Sequence, residues 1–127
     1  MKMNRELIKF YLQKLTMGRG VNADDPMSDV GNFKGDIRTM QSAAAAEGDL
    51  DWLRLSLDAL IANPGGRIQD FAGMQYPFTN DELVELFTYA FQRIWPDETV
   101  SAPGEEAVLE FVDVTDEEWA IMTHKEA

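Results

Sequence analysis

The sequence of 127 residues has no cysteine and a single histidine. Without thiols there is no disulfide, no Cys-bound zinc, no iron–sulfur cluster and no thiol nucleophile. The one imidazole, His124, stands three residues from the C-terminus. Triads and common zinc sites need an imidazole held by its neighbours, so His124 reads as an ordinary surface residue. Long apolar runs are also missing. None approaches the ~18 uncharged residues of a membrane-spanning helix, and the charged first residues do not read as a secretory leader. A cytoplasmic protein with no membrane partner is the expectation. Cations are scarce as well: 11 Lys plus Arg stand against 23 Asp plus Glu, a formal net charge of −12. Nucleic-acid binding needs cations to displace phosphate counterions, so direct binding is not expected of the average surface.

What is present suffices for a core. Apolar residues make up 45% of the chain, with seven Phe, three Trp and three Tyr, which excludes global disorder and gives one domain over residues 1–127. The pattern is helical. Leu7, Ile8, Tyr11, Leu12 and Leu15 share one stripe of a helix from about Asn4, its N-cap, to Met17, ended by Gly18 and Gly20. A pair over 36–47 and 49–62 follows, with Gly48 as its C-terminal cap and Asp49 as the next N-cap. Thr79-Asn80-Asp81-Glu82 is a capping box opening a helix that is apolar around most of its circumference, the expected buried central helix near 79–95. Thr115-Asp116-Glu117-Glu118 is a second capping box. Between them, 101–112 is compatible with a helix and 107–114 with a strand. The fold class is all-α: a compact bundle of four to six helices with at most one marginal strand.

Two loops join these elements. Asp24, Asp25 and Asp29 in the loop 18–35 invite a calcium reading. An EF-hand counted from Asn22, however, puts Pro26 at the fifth position and Phe33 at the twelfth, where oxygen ligands belong. The acids read as turn and capping carboxylates. Gly65-Gly66-Arg67-Ile68 lacks the Lys and Ser or Thr of a phosphate loop and reads as a turn. The segment 67–78, with Phe71, Met74, Tyr76 and Phe78, either covers the core or forms an apolar binding patch. No cofactor and no metal is expected.

Ala44-Ala45-Ala46-Glu47-Gly48-Asp49-Leu50-Asp51-Trp52-Leu53-Arg54-Leu55-Ser56-Leu57 and Leu60 resemble the two-helix core of an ankyrin repeat. No Thr-Pro-Leu-His opens the unit and no second copy follows. Stacked repeats need at least about three units to bury their faces, so the resemblance implies a helix–turn–helix and not a solenoid.

Charge is unevenly spread. Residues 1–20 carry Lys2, Arg5, Lys9, Lys14 and Arg19 against Glu6 alone. From Pro96 onward Asp97, Glu98, Glu105, Glu106, Glu110, Asp113, Asp116, Glu117, Glu118 and Glu126 face only Lys125. Either the two ends attract each other within the fold, or the acidic third faces a basic partner, steered by its field. Trp119, set among acids, is the candidate aromatic anchor of such an interface. The expected function is a non-enzymatic protein-binding module with no catalytic residue. Its size, helicity and charge resemble those of small acidic phage or mobile-element proteins that mimic nucleic-acid charge to block restriction or CRISPR machinery. The alternatives are a small assembly adaptor binding through Phe71–Phe78, and a bacterial immunity protein against a basic toxin.

Overall fold

The apolar stripe of the first helix organises the rest of the chain. The computed structural model describes residues 1–123, so His124, Lys125 and Glu126 lie outside the described residues. α1 (Arg5–Thr16) opens where Asn4 Oδ1 accepts the Leu7 amide at 3.2 Å, and it buries Ile8, Tyr11, Leu12 and Leu15. This stripe packs on α2 (Lys34–Ala46), which contributes Ile37, Met40 and Ala44. Gly48, at φ +70°, ends α2, a conformation that costs a glycine nothing. α3 (Leu50–Ala62) follows at once. Asp49 sits at its N-cap position but makes no capping hydrogen bond; its Oδ2 instead accepts the Tyr11 hydroxyl of α1 at 2.5 Å. The carboxylate expected to cap a helix therefore ties two helices together.

α4 (Asn80–Ile94) starts at the foreseen capping box, with Thr79 Oγ1 accepting the Glu82 amide at 3.1 Å and Glu82 Oε1 accepting the Thr79 amide at 2.8 Å. It presses Leu83, Leu86, Phe87, Ala90 and Phe91 into the core, chiefly against α3. α3 is the more fully enclosed of the two: Ser56, Leu57, Asp58, Ala59 and Leu60 are buried in succession. Both loops close over this core. The first forms three 3-10 turns and inserts Phe33, while Asp29 Oδ1 accepts the Gly31 amide at 2.8 Å, a turn carboxylate as expected. The second makes one 3-10 turn over Ile68–Phe71 and buries Ile68, Phe71 and Phe78. Its Gly73, at φ +70°, lies so close to α1 that an added Cβ would overlap Met17.

The last third wraps this core and adds Leu109 and Trp119 to it. Residues 101–112 are not helical: Pro103 and Gly104 form a turn, and β2 (Glu110–Val112) follows. The marginal strand thus exists, and it pairs in parallel with β1 (Lys2–Asn4), the three residues before α1, in the register Lys2–Glu110, Met3–Phe111 and Asn4–Val112. Parallel strands need a crossover connection, and here it is the helical core itself. α5 (Asp116–Thr123) ends the described chain, with Thr115 and Glu118 forming the second foreseen capping box.

Polar anchors hold the wrapping segment. Asp58, on the buried face of α3, accepts the amide and the hydroxyl of Ser101, each at 2.7 Å. Arg67 donates to the carbonyls of Ala59, Asn63 and Leu109 at 3.1–3.2 Å while its guanidinium lies 5.5 Å from the Phe111 ring centroid. The cation thereby joins the carbonyl end of α3, where the helix dipole favours positive charge, to the strand. Arg5 reaches both carboxylate oxygens of Asp113 at 2.8 Å.

Candidate functional site

The chain's two oppositely charged ends lie side by side, yet they neutralise each other little. Among the described residues, the cations of 1–20 make one ion pair with the acidic third, Arg5 to Asp113. Glu98 pairs with Arg54 of α3 at 3.3 Å. Glu106 accepts the Gly104 amide at 2.6 Å, and Glu118 is held in its capping box. The carboxylates of Asp97, Glu105, Glu110, Asp116 and Glu117 are exposed and make no hydrogen bond or ion pair among the described residues. The ten acids named from the sequence thus divide by role: four are spent on the fold, five face solvent, and Glu126 lies outside the described residues.

Trp119 is not the exposed anchor that its acidic neighbours suggested. It is 5% exposed, because its ring packs edge-on against Trp52 of α3 with centroids 5.5 Å apart. Its Nε1 has no hydrogen-bond partner among the described residues. Where α5 leans on α1 and on the α2–α3 turn, a cleft of about 440 Å³ opens. Its lining residues include Phe10, Tyr11, Trp119, Glu47, Asp49 and Asp116. Among the described residues, no Lys or Arg lines it.

Each wall has a local origin. The 3-4 spacing of α1 puts Tyr11 on its buried face and leaves Phe10 beside it, 55% exposed, with the two ring centroids 5.7 Å apart. Lys14, one turn further along α1, sets its ammonium 4.3 Å from the Phe10 centroid, so this ring already carries a cation. The short α2–α3 turn delivers Glu47 and Asp49 together. The second capping box fixes the start of α5, so Asp116 stands in its first turn and Trp119 one turn on. Burial first, and the Glu47 carboxylate second, push the Tyr11 phenol above its usual value of 10.0.

A larger cleft of about 820 Å³ lies beyond the C-terminal end of α1, beside Lys14, Arg19, Asn32 and Thr39. Its acid, Asp36, is committed to the fold through the amides of Arg19 and Gly20 at 3.0 and 2.8 Å. The remaining sequence candidates resolve into packing. Phe71 and Phe78 belong to the core, leaving Met74 as the fully exposed apolar residue of that loop. Phe87 is closed into the core, and Trp52 is engaged by Trp119. Among the described residues, no three His, Asp or Glu side chains are grouped to hold a metal ion. No described helix is long and apolar enough to cross a membrane.

Asp116 and Trp119 are thus the two sequence-named residues that the fold brings into one cavity. Phe10, Tyr11, Glu47 and Asp49 come from elements far away in the chain, and no spacing rule joins them. The Tyr11–Asp49 pair had one legible half, an acid after Gly48, and no visible partner. No family model, no curated protein and no solved structure matches this chain.

Proposed function

We propose that the protein is a non-enzymatic binding module whose acidic C-terminal surface docks a basic protein partner. One observation supports this reading: five solvent-facing carboxylates in 97–117 make no ion pair among the described residues, although the N-terminal strand β1 is paired with β2 of the same segment. Unpaired carboxylates of one sign gain from a cationic partner, whose approach their field speeds. The finer reading is an inhibitor of the phage or mobile-element kind that presents carboxylates in place of phosphates. It rests on the size, the helicity and the net charge of −12.

A pull-down from a bacterial lysate at about 50 and about 500 mM salt, where screening lengths differ severalfold, tests the electrostatic reading. Captured protein should fall away at high salt. It should also be lost from a variant carrying Asp97→Asn, Glu105→Gln, Glu110→Gln, Asp116→Asn and Glu117→Gln, whose side chains make no hydrogen bond or ion pair among the described residues. Salt-independent capture overturns the reading. Competition of the captured protein by duplex DNA separates a nucleic-acid mimic from an acidic docking module of another kind.

A further inference from the structure

We infer that the outer face of α5 docks on a methionine patch of a second copy of this chain, in a head-to-tail contact that needs no other partner. The patch lies at the C-terminal end of α1. Met74, 97% exposed, and Met17 flank a hollow of about 300 Å³ that Lys9 also lines. Met17 borders the larger cleft beside Lys14 and Arg19 as well, so the two hollows meet at this side chain. Lys9, Lys14 and Arg19 outnumber the acids of the two hollows, Asp36 and Asp70. Both oxygens of Asp36 are taken by backbone amides, and Lys9 and Arg19 make no ion pair among the described residues. An unbranched thioether adapts its shape to an incoming side chain, which suits the two methionines to a docking surface.

The matching surface is on α5. Trp119 turns into the fold, and Ile121, two residues on, stands on the opposite side of the helix, 74% exposed. Met122 is exposed beside it, and Glu117 and Glu118 precede the two by one turn. This face has an apolar centre and an acidic edge, whereas the methionine patch has an apolar centre and a cationic edge. Opposite charges around two apolar centres fix the register of a contact and disfavour wrong partners. The outer face of α5 points away from the body of its own chain, so the two surfaces meet only between copies. Because they are different surfaces, the contact is heterologous, and its repetition closes a ring or extends a row of copies. The net charge of −12 holds copies apart at low salt, but at about 150 mM salt screening over about 8 Å leaves the local contact to decide.

Sedimentation velocity at about 150 mM salt, from about 10 μM to about 1 mM protein, tests this contact. The mass should rise with concentration above that of one chain. Met74→Asn and Ile121→Asn alter exposed side chains on the two sides of the contact, and each alone should weaken association about ten-fold. An equimolar mixture of the two variants should recover association but stop at two copies, since each pair retains one intact patch and one intact α5 face. Such recovery also shows that both variants are folded. Val108→Asn, exposed but outside both surfaces, should change association by less than about two-fold. The mass of one chain at every concentration, association that neither variant weakens, or a mixture that associates no better than its parts overturns the proposal.

Discussion

The helical core of residues 5–94 and the wrapping segment that follows it are held by different physics. In the core, α1 to α4 bury Leu, Ile, Phe and Met side chains at helical spacing, with Thr16, Asp36, Ser56 and Asp58 as buried polar residues among them. The wrapping segment inserts few side chains, chiefly Leu109 and Trp119, and is fixed at separate points by Asp58, Arg67, Arg5 and the strand β1. Apolar burial is non-directional and spreads over a whole surface. A hydrogen bond to a charged group acts at one place and is lost by one substitution. The acids that do enter the core, Asp36, Asp49 and Asp58, each accept hydrogen bonds there.

The first way to break this comparison is Phe87→Ala, a cavity at the α3–α4 contact that should cost about 3–5 kcal/mol in denaturant unfolding and shift every probe together. The next is Asp58→Ala. It removes two charge-assisted bonds to Ser101 and should cost about 2–3 kcal/mol, felt first in the wrapping segment.

Tyr11→Phe tests the link between the cleft and the core. Loss of the hydroxyl bond to Asp49 should cost about 1.5 kcal/mol near neutral pH. The folded protein holds the Tyr11 proton more tightly than the unfolded chain does, because burial and Glu47 raise its pKa. That stabilisation is complete below pH 10 and is lost as the pH rises through the raised value. The gap between wild type and Tyr11→Phe should therefore narrow in denaturation curves taken above pH 10.

The smallest effect belongs to Arg5→Ala. Its ion pair with Asp113 joins side chains 39% and 67% exposed, so stability should fall by only about 0.5 kcal/mol and the difference should vanish at high salt.

The same contrast explains what the sequence could disclose. Helices announce themselves through periodicity and through Asn4, Thr79 and Thr115 at their starts, because these signals lie within a few residues of one another. Asp58 gives no such signal: on α3 it reads as one more acid, and its partner lies 43 residues away. Arg67 reads as part of a glycine turn, while its contacts span Ala59 to Leu109. β1 is only three residues long and was hidden in the approach to α1. The cleft was legible in part. Charge and aromatic content pointed to Asp116 and Trp119, whereas Tyr11 and Phe10 looked like helix residues and nothing more.

Native-state hydrogen exchange on Asp58→Ala tests most directly whether the acidic surface is a separately anchored layer on an apolar core. The expected result is lost protection of the Ser101 and Glu110 amides, with the amides of α3 and α4 keeping theirs. Simultaneous loss of protection in both regions would contradict that division and make the protein a single cooperative unit.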